Sequence, residues 1–219
     1  MERVAPEKRE LCYCIGRVAW GYIFIHCHLN IGAVDILPDW LGYLLMTTAL
    51  PALSEEAESL KLLRPLGIVL TAWSLLTWIA GIFTFEIDLY LMQVMISIIS
   101  MYFHFQLLTD IAGISMKYET PEHRQILKLR TVEVIMLTII PLQQLLATLP
   151  VTIRGAEDFM AGFAAGVNAG IVIVMLVVMI WLCKLLFNLK KSLMRTFYIM
   201  DEHGVFDPEA EDFFEKDYE

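Results

Sequence analysis

Four polar residues recur at helical spacing in one apolar run: Gln93, Ser97, Ser100 and His104. Steps of four, three and four put them on one helix face. In the next apolar run Glu133 and Gln144 stand eleven residues apart, at nearly one angle, and a later run holds Asn168. Polar groups that converge between apolar helices can line a pocket for a small solute. A histidine titrates near neutral pH, so His104 is a candidate proton carrier, with Glu133 as counter-charge or coupling acid. The same groups can also bond one another with no ligand, each interhelical hydrogen bond contributing about 0.6–2 kcal/mol. Thr71 and Ser74 add hydroxyls, and Arg17 and His28 share an angle in the first run. Arg17, Asp110, Arg130 and Glu133 fall toward one end of their helices, where an ion-pair cluster is expected.

Such residues need long apolar helices to hold them. The chain has 219 residues, 58% of them hydrophobic, against roughly 45–50% in soluble domains. Its mean hydropathy is +0.61. Several runs reach the ~20 residues that cross ~30 Å of hydrocarbon. The expected helices cover about 11–30, 38–53, 65–85, 89–115, 128–149 and 158–187, with an amphipathic turn over 54–64. Pro51 and Pro141 lie inside two of them. The predicted fold is an all-α integral membrane protein, a six-helix transmembrane bundle over 11–195. It lies between a polar N-terminus, 1–10, and an acidic tail, 196–219.

Charge sets the orientation. Lys and Arg gather at Arg3, Lys8 and Arg9, at Lys61 and Arg64, and at Lys117, Arg124, Lys128 and Arg130. They recur at Lys190, Lys191 and Arg195, and the alternate loops hold only Arg154. Cytoplasmic loops carry the positive excess, so both termini are expected inside. The net charge of −9 sits mostly in the tail, where nine acids from Asp201 to Glu219 face the single Lys216, about −8. No basic patch points to nucleic acid.

The first outer hairpin is the best-marked loop. Pro38 suits the first turn of a helix, where a missing N–H costs nothing. Asp35 and Asp39 flank it, and a carboxylate there complements the helix dipole and can accept from free N–H groups. Glu86, Asp88, Glu157 and Asp158 open later helices in the same way. A cation-attracting mouth is the alternative reading. Trp40 and Tyr43 are rings of the kind found at a membrane boundary. The string from Asp35 to Tyr43, DILPDWLGY, preceded by Asn30-Ile31, resembles the DILPD-[FW]-[IL]-GY signature of a family of small bacterial multi-spanning membrane proteins. That resemblance covers the first hairpin. It implies a bacterial cytoplasmic (inner) membrane location and no particular activity.

The remaining features narrow the function. Gly162, Gly166 and Gly170, beside Ala161, Ala165 and Ala169, form a small-residue stripe on which another helix can pack. That helix belongs to this chain, to a second copy or to another membrane protein. His26-Cys27-His28 places two imidazoles two positions apart, nearly opposite on a helix, so no metal is expected. Cys12, Cys14, Cys27 and Cys183 lie in or beside apolar runs, which disfavours a disulfide framework. The first run is too long for a signal peptide and holds Arg17 and His26. No HExxH, GxSxG or P-loop pattern occurs, so no enzyme and no cofactor is expected. The expected partners are the lipid bilayer, a small solute, and a second copy or a membrane partner. The leading function is solute binding or transport through an inward polar pocket. The alternative is a non-transporting scaffold or regulatory subunit that uses the glycine stripe and the acidic tail.

Overall fold

The computed structural model describes residues 6–27, 30–31, 34–35, 38–83, 90–147 and 157–199, with side chains over 7–27, 38–83, 92–139, 170 and 173–198. Six α-helices occur among the described residues: α1 Pro6–His26, α2 Asp39–Glu56, α3 Leu63–Ile82, α4 Tyr90–Lys117, α5 His123–Ala147 and α6 Glu157–Ile199. Between α1 and α2, β1 Asn30–Ile31 pairs antiparallel with β2 Val34–Asp35, Asn30 opposite Asp35. A 3-10 helix, Glu58–Leu62, joins α2 to α3.

Among these helices, three stretches are long and apolar enough to cross a membrane: Glu58–Ile82, Met92–Lys117 and Ile173–Tyr198.

Each helix packs on the next in sequence, and α6 packs back on α1, closing a ring. Its interior is filled by Ile15, Tyr22, Met46, Leu50, Phe103 and Leu186, all fully buried. The outward faces are apolar too; Ile68, Met95, Ile98, Ile173, Val177 and Ile180 are exposed. An exposed apolar belt around a filled interior is what lipid requires.

The tightest joint is between α1 and α2. A Cβ placed on Gly42 would stand 2.6 Å from the Gly21 carbonyl oxygen, and one on Gly21 2.8 Å from the Gly42 carbonyl oxygen. The two backbones touch where both lack a side chain, the geometry that small residues permit in apolar surroundings. Gly67 makes room for a side chain between α2 and α3, where a Cβ would run into Thr47 Oγ1.

Several boundaries differ from expectation. α1 begins at Pro6, a suitable first helical residue, and ends at His26, and the hairpin ladder takes Asn30, the last residue of the expected helix. Pro38 is the N-cap of α2, with φ −73° and ψ 139°, and makes no side-chain cap bond. Pro51 lies inside α2, which runs on to Glu56. α5 starts earlier, at His123. α6 continues twelve residues past 187, because Leu189, Leu193 and Phe197, four apart, stay buried. At 43 residues it is roughly 65 Å long, more than hydrocarbon alone can cover.

Polar contacts tie the helices at the end that carries the described termini. Lys117 Nζ donates to Glu56 Oε2 at 2.6 Å, and the Tyr118 hydroxyl donates to Glu56 Oε1 at 2.8 Å. Burial alone would raise the Glu56 pKa. The Lys117 and Tyr118 hydrogen bonds outweigh it and hold the carboxyl below its usual range. Burial and the bond to Glu56 push the Tyr118 phenol up. Tyr118 meets Phe197 edge-on at 4.8 Å, and Lys8 lies over the same ring at 5.2 Å. Ser192 donates to Glu122 at 2.6 Å. Residues from α1, α2, α4 and α6 therefore meet at one end, the arrangement of helices that alternate in direction. α4 closes there with Glu119 at φ 55°, a left-handed cap in which Thr120 N bonds Ser115 O at 2.9 Å.

Candidate functional site

At the opposite end, next to the hairpin, a cavity of about 280 Å³ lies between α2, α3 and α4, with Leu137 of α5 at its edge. It is small against ligand sites of roughly 300–1,000 Å³. Its polar wall is Asp39 and Tyr43 from α2, Ser74 and Thr77 from α3, and Ser97 and Ser100 from α4. Trp73, Leu70 and Ile96 supply apolar surface.

Each polar group is placed by helical spacing. Asp39 and Tyr43 are four apart on the first turn of α2, so both face α3 and α4. Tyr43 is buried, and its hydroxyl pairs with Ser100 Oγ at 2.9 Å, tying α2 to α4. Ser97 Oγ donates to the Gln93 carbonyl at 2.9 Å, and Thr77 Oγ1 to the carbonyls of Trp73 and Ser74 at 3.1 Å. Hydroxyls that spend their proton on the helix backbone keep lone pairs free as acceptors. The wall therefore presents one carboxyl group and several oxygens, which suits a solute bearing N–H or O–H donors.

A second polar group lies deeper. His104 and Glu133 are each 2% exposed, and His104 Nδ1 stands 3.7 Å from Glu133 Oε1. The Tyr22 hydroxyl is 3.1 Å from the same Nδ1. His104 is ringed by Phe103, Tyr43, Tyr22 and His26, with centroids at 5.7, 5.9, 5.2 and 6.4 Å. His26 Nδ1 is 3.1 Å from the Tyr22 carbonyl oxygen. Tyr43 belongs to both places: its ring faces His104 and its hydroxyl meets Ser100 at the cavity wall.

The structure thus brings together His104 and Glu133, and separately Ser97 and Ser100 with Asp39 and Tyr43. Gln93 is exposed. It keeps the stripe's angle, near the start of α4. The expected ion-pair cluster does not form as such. Asp110 accepts from Ser59 at 2.8 Å and from Gln106 at 3.0 Å. Arg130 donates to Thr109 at 2.9 Å and lies over the Phe105 ring at 4.5 Å. Arg17 is exposed. Trp40 meets Trp78 edge-on at 6.2 Å. A Cβ added at Gly170 would meet nothing within 4 Å.

The side chains of Asn30, Asp35, Gln144 and Asn168 and the surroundings of Gly162 and Gly166 lie outside what is described, as do His28, Glu86, Asp88, Arg154 and the tail 201–219. No group of three or more metal-ligating side chains occurs among the described residues. Sequence reasoning passed over Tyr22, Trp73 and Thr77. Tyr22 and His26, four apart in α1, carried the only available signal: two polar-tipped rings on one face of an apolar run.

Comparison with protein-family models, curated proteins and solved structures finds no match to this chain.

Proposed function

We propose that this chain is a multi-pass membrane protein of six crossings, with both termini in the cytoplasm. In this reading it binds a small donor-bearing solute, for passage across the membrane, in the cavity beside the first outer hairpin. The carrying observation is the cavity itself, where Asp39, Tyr43, Ser74, Thr77, Ser97 and Ser100 converge from three helices. Polar groups are costly among apolar helices, and their convergence on open space is the mark of a solute path. The six-crossing reading is supported by the cyclic packing and by the meeting of Lys8, Glu56, Lys117, Glu122 and Ser192 at one end. The positive excess of the loops belongs to that end. The DILPDWLGY resemblance agrees with a hairpin at the other, in a bacterial inner membrane.

Trp73 lines the cavity, so tryptophan fluorescence of the purified chain in lipid nanodiscs reports on its occupancy. Ethanolamine and glycerol are the donor probes, and acetate, which has no donor, is the carboxylate control. The donors are expected to give a saturable change and acetate none. Asp39→Asn and Ser100→Ala should each weaken the donor response about tenfold or more, corresponding to about 1.4 kcal/mol. No saturable response to any donor, or equal affinity in all three chains, counts against the cavity.

A second reading, a scaffold that holds a membrane partner or a second copy through α6, has one observation in its favour: Gly170 faces open space. Co-purification with and without residues 201–219 separates the two readings.

A further inference from the structure

Glu133 takes no part in the cavity wall. It is 2% exposed, and neither carboxyl oxygen makes a hydrogen bond among the described residues. Among the described residues the basic group paired with it is His104, at 3.7 Å, beyond hydrogen-bond length. No Lys or Arg forms an ion pair with it among the described residues. The titratable groups around the pair are Tyr22 and His26 from α1, Tyr43 from α2 and Cys183 from α6. All are ordinarily neutral or weakly basic, and none supplies a fixed positive charge. A bare carboxylate in such a place costs several kcal/mol, whereas a neutral carboxylic acid does not. A closed imidazolium–carboxylate pair would bring the two groups within about 2.7–2.9 Å, closer than the 3.7 Å at which they stand.

We infer that Glu133 and His104 form a binding site for one exchangeable proton, held on the Glu133 carboxyl and faced by His104 Nδ1. Uptake adds one proton and one positive charge to the pair; release removes both and leaves Glu133 ionised beside the imidazole. Tyr43 is the physical link to the cavity, with its ring on His104 and its hydroxyl on Ser100. That link has a function only if the cavity reading holds. The proton site itself does not depend on it.

Infrared spectra of the full chain in lipid vesicles test the site with no solute present. At neutral pH the wild-type chain should show a carboxylic-acid C=O band that shifts in deuterium oxide and bleaches reversibly as pH rises. Glu133→Gln should lose it, while Asp39→Asn and Glu122→Gln keep it. Glu133→Asp should move its frequency, which keeps the assignment open to test if the glutamine variant fails to fold. Absence of the band in the wild-type chain, or its persistence in Glu133→Gln, overturns the proton site. A band that behaves as expected in a chain that binds no donor probe upholds the proton site and removes the cavity reading alone.

Discussion

Replacing Gly42 by leucine is expected to keep α1 and α2 from docking and to prevent recovery of folded protein. The reason is the Gly21 carbonyl oxygen, 2.6 Å from where a Cβ would sit. Backbone cannot swing aside as a flexible side chain can. Both helices would have to separate, and they carry Tyr22 and Met46, both fully buried in the ring interior. Overpacking a tight core costs about 1–3 kcal/mol, and more where the frame must move, so a loss of about 3 kcal/mol or more is expected here. The control is Gly113→Ala in α4, where a Cβ meets nothing within 4 Å. Alanine there should gain about 0.5–1 kcal/mol from the lower entropy cost of the helix. Melting temperature and monodispersity in detergent read both changes. A Gly42→Leu chain as stable as wild type would mean that the two helices do not cross at these glycines.

Glu133→Lys should be nearly as damaging, while Glu133→Gln should fold. Glutamine matches glutamate in size, whereas lysine is longer by about one bond and carries a positive charge. A lysine at a site 2% exposed, facing His104 at 3.7 Å in the parent, would bury an ammonium with no carboxylate partner. Leaving a buried charge unpaired costs about 3–5 kcal/mol. A glutamine keeps the shape, stays neutral, and can donate from its amide. Thermal unfolding in nanodiscs should therefore place Glu133→Gln near wild type and show little folded Glu133→Lys. Equal stability of the two would mean that residue 133 faces water or lipid headgroups and is not held between helices.

Much of this arrangement was written in the periodicity. The apolar runs located the helices to within a few residues at most ends. The stripe from Ser97 to His104, with Glu133 on the next helix, picked out groups that the fold brings inward. The hairpin residues Asp39 and Tyr43 entered as boundary and dipole residues, yet both line the cavity. Their tertiary neighbours, Ser74, Thr77 and Ser100, come from other helices, and no local pattern gives that pairing. Gln93 shows the complementary limit. Helical spacing fixes an angle around the axis, not the burial at each height along it, and Gln93, near the start of α4, is exposed. Tyr22 was hidden for a different reason. A tyrosine in an apolar run looks like packing, and only the fold discloses that its hydroxyl meets His104.

The most direct test of the whole account is the side from which the cavity is reached. Ser97 lines it, and of the native cysteines Cys12, Cys14 and Cys183 are buried while Cys27 is partly exposed. Ser97→Cys in a Cys27→Ser background should react with a membrane-impermeant maleimide added outside intact cells, and ethanolamine should slow that reaction. Labelling that requires the cells to be opened, or that never occurs, would contradict a polar cavity open to the outer side.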